Sequence, residues 1–152
     1  YASIDWVSIF LFAGMISVSS AMDKTGAGKL LAKFCVDLLG GTPSPLFVAA
    51  LLFLVSSFLT QFMSNTATAT LLCPIGVAIA QQIGASPHAV VMSITIGIAC
   101  AYATPVGTPP NTLVLGPGGY RFMDYVKVGT PLIFVSFIVS MVVIPIVWPF
   151  FK

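Results

Sequence analysis

Between residues 38 and 120 the chain has no Asp, Glu, Lys or Arg, and only 7% of its 152 residues are charged. Soluble domains carry roughly 25% charged residues, so this scarcity excludes a water-solvated globular protein. Cysteine is also scarce: Cys35, Cys73 and Cys100 are odd in number, far apart and set in apolar sequence. That argues against a disulfide framework or a zinc site and for plain packing. A net charge of +2 is no argument for nucleic acid, and none is expected as a partner. No basic stretch precedes the first apolar run, so the start at Tyr1 reads neither as a signal peptide nor as a natural beginning. What is present is 58% hydrophobic with a mean hydropathy of +1.06. The expected class is an all-α integral membrane protein lying in a lipid bilayer.

Hydrophobic runs and breaks divide the chain into helices. Residues 4–22 are close to the ~20 needed to cross a bilayer, and Trp6 suits its interface. Residues 26–39 form a short amphipathic segment with Lys29 and Lys33 on one face. Gly40 to Pro45 is a break. Residues 46–63 and 66–83 are two arms of about 18 residues with no loop between them, which predicts a re-entrant helical hairpin whose tip, Ser64-Asn65-Thr66, lies inside the protein. Ser86 and Pro87 open a helix over 88–103. Prolines 105, 109 and 110 unwind the chain after it, and helix resumes over 111–116, giving a discontinuous helix. The polar loop with Arg121, Asp124 and Lys127 then leads to a last span over 128–151, with Pro131, Pro145 and Pro149 as kink points. If the loops carrying Lys24, Lys29 and Lys33 and carrying Arg121 and Lys127 both face the cytoplasm, segment 26–39 must also span. His88 reads as an interfacial residue at a helix start.

Two polar, helix-breaking knots thus lie at membrane depth: Ser64-Asn65-Thr66 and Thr104 to Asn111. Unpaired backbone there costs several kcal/mol per group unless protein or ligand satisfies it. At the first knot, the N–H groups of about residues 66–69 open a helix, a place that favours anions. Asn65 is expected to cap that helix or offer its amide, and Thr66 and Thr70 share one face. At the second, a helix restarts near Asn111, with Thr108 and Asn111 as donors, so that two helix ends clasp one carboxylate. Carbonyls around residues 60–63 and 104–107, at the C-terminal ends of the broken helices, suit sodium. Ser64, Asn65, Thr66, Thr108 and Asn111 are therefore candidate anion-binding residues. The ordinary alternative for Thr60, Thr68, Thr70, Ser93 and Thr95 is a hydrogen bond to the carbonyl four residues back.

Ser64-Asn65-Thr66 paired with Thr108-Pro109-Pro110-Asn111 resembles the second repeat of the divalent anion:sodium symporters, which carry dicarboxylates, citrate or sulfate. The resemblance runs over nearly the whole chain, including Asp5-Trp6, Phe58-Leu59-Thr60 and Pro105-Val106-Gly107. It implies that Asn65, Thr66, Thr108 and Pro109 contact a substrate carboxylate. It also implies that Asn65, with backbone groups of Thr60, Met63 and Gly107, holds a sodium ion. The expected unit, residues 1–152, is then half of an inverted-repeat transporter, its N-terminal repeat missing, working as a homodimer by elevator-type movement in the cell's inner (plasma) membrane. Gly116 to Phe122 resembles permeases of this group for inorganic anions, which leaves the substrate open.

Two other classes were weighed. An enzyme is not expected: there is no HExxH pair, the aspartates lie near segment ends, and Ser64 has no evident base. A channel or assembly subunit without coupled transport is the alternative, since channels also use broken helices.

Overall fold

A computed structural model describes Thr25 and residues 43–151. The expected segments 4–22 and 26–39, with Trp6, Cys35 and the basic residues Lys24, Lys29 and Lys33, lie outside the described residues. Among the described residues every regular element is helical: α1 (Pro45–Leu59), α2 (Asn65–Gln82), α3 (Pro87–Ala99), α4 (Pro109–Leu115) and α5 (Phe122–Val147).

Ser44 caps α1 by accepting the Phe47 N–H at 3.3 Å, with Pro45 in the first turn where no N–H is needed. α1 ends at Leu59, four residues short of the expected 63. The N–H groups of Phe62 and Met63 both close on the Leu59 carbonyl at 3.0 Å, so residues 60–63 are a turn. α2 carries Pro74 in its interior. It ends with the Gly84 N–H on the Gln81 carbonyl and the Ala85 N–H on the Ala80 carbonyl. This Schellman arrangement needs the positive φ of 68° that glycine supplies at Gly84.

α3 lies against both earlier helices, and its small residues decide how. Ser93 Oγ donates to the Ala49 carbonyl at 2.5 Å. One turn on, a Cβ at Gly97 would lie 2.7 Å from the Phe53 carbonyl. Both contacts advance four residues in the same direction, so α1 and α3 run parallel, and by that register the end of α3 lies about one turn short of the end of α1. Leu72 and Ile79 of α2 complete the core with Val48, Leu52, Val90 and Ile94. At about 1.5 Å per residue, the 15 residues of α1 and the 13 of α3 rise about 22 Å and 20 Å. Both fall short of a hydrocarbon core of about 30 Å.

The last helix begins at Phe122 rather than 128. Arg121 donates its N–H to Asp124 Oδ2 at 2.8 Å, closing the first turn, so the polar residues expected to form a loop instead start α5. The helix ends at Val147, with Pro131 and Pro145 inside it and Pro149 beyond. α5 packs on α1 through edge-to-face contact of Phe53 and Phe137, centroids 5.4 Å apart. It meets the chain after α3 where Gly129 lies against the Tyr102 carbonyl. Among the described residues α5 alone is both long and apolar enough to cross a membrane. Val128, Leu132, Val135, Val139, Val142 and Ile146, three or four apart, stay exposed along it.

Candidate functional site

Because α1 and α3 are parallel, the turn after one and the unwound segment after the other meet. At the turn, Ser64 is the N-cap of α2: its Oγ accepts the Ala67 N–H at 3.2 Å, and its carbonyl accepts the Thr68 N–H at 3.0 Å. Asn65, expected to cap the helix or to offer its amide, is the first helical residue. Its Oδ1 accepts the Thr60 hydroxyl at 2.7 Å, tying the end of α1 to the start of α2. The N–H groups of Asn65 and Thr66 have no partner among the described residues and stand at the positive end of α2. Half-buried Thr66 has no bond from its hydroxyl among the described residues, whereas Thr70 donates to the Ala67 carbonyl. Thr68, fully buried, donates to the Ser64 carbonyl, and Thr95 to that of Val91, each four residues back.

α3 stops at Ala99, not 103, and the carbonyls that follow it are bonded from outside the helix. The Cys100 carbonyl accepts from Gln61 Nε2 at 3.0 Å, and the Ala101 carbonyl from Asn111 Nδ2 at 2.8 Å. Asn111 also donates to the Thr104 carbonyl at 3.0 Å. Both amide hydrogens of Asn111 are thus spent on the backbone, which removes it as the expected side-chain donor to an anion. Nor does α4 offer a second free helix end. Pro109 and Pro110 have no N–H, and the N–H groups of Asn111 and Thr112 close on the Thr108 carbonyl. The expected clasp by two helix ends reduces to one end, that of α2. Thr108, half-buried at the N-cap of α4, makes no side-chain capping bond and keeps its hydroxyl available beside exposed Pro109.

The turn that leads into the first knot, residues 60–63, is in direct contact with the second knot. A Cβ on Gly107 would lie 2.9 Å from the Thr60 carbonyl and 3.1 Å from Ala101 Cβ, so only glycine lets the backbones approach this closely. Thr104 Oγ1 donates to the Gln61 carbonyl at 2.8 Å and accepts the Gly107 N–H at 3.2 Å. Thr60, Asn65 and Gly107, three of the four residues expected around a cation, therefore come together, with exposed Met63 on the same turn. Carbonyl and amide oxygens of this kind suit a hard cation.

Gln61 was not singled out from the sequence. It is 6% exposed and holds that turn to the second knot. Only its position directly before a tip in a charge-free run hinted at this, since a buried amide must find partners. Every buried side-chain polar atom among the described residues has a partner. The unspent donors of Asn65, Thr66 and Thr108 are accordingly on accessible surface, where a ligand can reach them.

A family model described as citrate transporter matches residues 1–151. Over 150 residues the chain is 43% identical to the uncharacterized transporter YfbS of Escherichia coli (strain K12), covering 99% of this chain and 24% of that protein. It is 39% identical over 132 residues to the uncharacterized transporter sll0640 of Synechocystis, 87% of this chain and 21% of the relative. Identity is 30% over 141 residues with the sodium-dependent dicarboxylate transporter SdcS of Staphylococcus saprophyticus, 93% of this chain and 27% of the relative. The chain spans about a quarter of the length of the curated relatives it matches.

Proposed function

Because the chain belongs to the citrate transporter family, we propose that it supplies half of the transport site of a multi-pass inner-membrane protein carrying a divalent anion together with sodium. The observation that carries this reading is the meeting of the two loops. There the bond from Thr60 to Asn65 at the open N-terminus of α2, the bonds of Thr104 to Gln61 and Gly107, and the approach of Gly107 to the Thr60 carbonyl join the two loops, with Thr66 and Thr108 the next residues along the chain. The N–H groups of Asn65 and Thr66, with the Asn65 amide and the two hydroxyls, bind one carboxylate or an equivalent oxyanion. Ser64 shapes this end as the cap, and Pro109 fixes the backbone after Thr108. Sodium is cargo: Thr60, Met63 and Gly107 give it backbone oxygens and Asn65 gives Oδ1.

α1 and α3 are each too short to span, which supports a hairpin of α1 and α2 that enters and leaves on one side, with its tip near mid-membrane. A second, inverted repeat of the same protein completes the site. The transport domain moves as an elevator in a homodimer, and lipid or neighbouring protein covers the exposed stripe of α5. No cationic side chain is needed at the site, since sodium supplies the counter-charge and its departure weakens the hold on the anion. A dicarboxylate is the first substrate to test, because the relative SdcS is a sodium-dependent dicarboxylate transporter.

The test is uptake of labelled succinate, citrate and sulfate by cells making the whole protein. Saturable, sodium-dependent uptake of at least one is expected. Asn65→Ala or Thr108→Ala reduces it about 10- to 100-fold, the loss of one or two hydrogen bonds to a charged group. Normal uptake by both variants sinks the site assignment, and linear, non-saturating flux favours a channel instead.

A further inference from the structure

Gln61 makes more use of its carboxamide than any other side chain in this region. Nε2 donates to the Ser57 carbonyl at 2.8 Å and to the Cys100 carbonyl at 3.0 Å. Oε1 accepts the Ala103 N–H at 3.1 Å. One amide group thus bonds to the last turn of α1 and to two points, Cys100 and Ala103, of the stretch that unwinds after α3. Its own backbone carbonyl receives the Thr104 hydroxyl, which in turn receives the Gly107 N–H. Nothing else between the knots is so extensively bonded, and the group is buried where water cannot replace it. Leaving such donors and acceptors unmatched costs about 1–3 kcal/mol per group.

We infer that Gln61 is a positioning residue that clamps the unwound segment 100–107 to the turn 60–64, so that the two loops order together. The ion-facing groups are divided between the loops: Thr60, Asn65 and Thr66 on one, Gly107 and Thr108 on the other. For these groups to meet one ion, the two loops have to be held in register by a link between them. The Gln61 carboxamide is that link. Gly107 is held to the same residue by a second route, since the Thr104 hydroxyl that accepts its N–H donates to the Gln61 backbone carbonyl. The role rests on the proposed sodium-coupled reading, but the clamp itself can be measured without transport.

The experiment is hydrogen–deuterium exchange on the whole protein in detergent, with and without sodium chloride, potassium chloride serving as control. Peptides covering 60–66 and 100–108 are followed in wild type, Gln61→Leu and Gln61→Glu. In wild type, sodium is expected to slow exchange in both peptides together. In Gln61→Leu, segment 100–108 is expected to exchange at least about tenfold faster, the loss of one to two hydrogen bonds' protection, while α1 and α3 stay protected. Sodium then still slows 60–66 but no longer 100–108, an uncoupling that a merely structural role would not give. Gln61→Glu keeps an acceptor for the Ala103 N–H and is expected to recover part of the protection.

Equal exchange of 100–108 in wild type and Gln61→Leu overturns the clamp. So does a sodium response that still reaches both loops in Gln61→Leu. A wild type indifferent to sodium but loosened at 100–108 by Gln61→Leu supports the clamp and contradicts sodium coupling, so the two failures are distinguishable. Should Gln61→Leu fail to fold, Gln61→Glu decides: protection of 100–108 equal to wild type, despite the lost donors to Ser57 and Cys100, also overturns the clamp.

Discussion

Asn65 shows how much depends on one side chain here. Its Oδ1 is bonded to Thr60, its Nδ2 has no partner among the described residues, and its N–H opens α2. Gly107 is its counterpart on the other loop, and its requirement is purely steric. A methyl at this position meets the Thr60 carbonyl at 2.9 Å, and a backbone oxygen cannot rotate away. Gly107→Ala is therefore expected to push the loops apart at about 1–3 kcal/mol, lowering uptake at least tenfold with normal amounts of protein in the membrane. Gly116→Ala, which meets nothing within 4 Å and has a helical φ of −69°, is the matched control and should transport as wild type does. Comparing initial uptake rates of the two variants, normalised to membrane protein, checks both.

The helix starts offer a second contrast. Ser64 makes a capping bond to the Ala67 N–H, whereas Ser86, in the same position before α3, makes none with its side chain. Ser64→Ala is expected to cost about 1 kcal/mol and Ser86→Ala less than about 0.5 kcal/mol, measured as thermal unfolding in detergent. Equal losses would mean that the cap does not hold the tip. These starts also show what could be read in advance. Serine before a helix, proline in a first turn and Ser-Asn-Thr between apolar arms are local signals, so the positions of the breaks were legible from residue types alone. What happens at the breaks was not. Asn111 looked like a ligand donor because its neighbours are helix breakers, yet it bonds the Ala101 carbonyl, which Pro105 leaves free for want of an N–H, and the Thr104 carbonyl. Gln61 looked unremarkable in an apolar run because its partners lie 39 to 43 residues away. Arg121 and Asp124 resembled a loop by charge, and only the bond between them shows a helix start. Local chemistry sets where helices stop; long-range hydrogen bonds decide what their ends then do.

For the whole molecule, the parallel course of α1 and α3 is what matters most, since it brings two interrupted chains together and leaves α5 beside them with an apolar stripe outward. Neither of those helices is charged, and among the described residues nothing at the two knots carries a net charge. An anion held there by amide dipoles and hydroxyls alone is held weakly, and with sodium beside it considerably more strongly. Anion accumulation should therefore follow the sodium gradient and not merely the presence of sodium. The most direct measurement is uptake of the labelled anion by proteoliposomes containing the purified whole protein, wild type or Asn65→Ala. The account predicts that an inward sodium gradient drives wild type to accumulate the anion above its external concentration, that a sodium ionophore abolishes this, and that Asn65→Ala does not accumulate it. Accumulation by Asn65→Ala equal to wild type, or wild-type uptake unchanged when the gradient is collapsed, would contradict it.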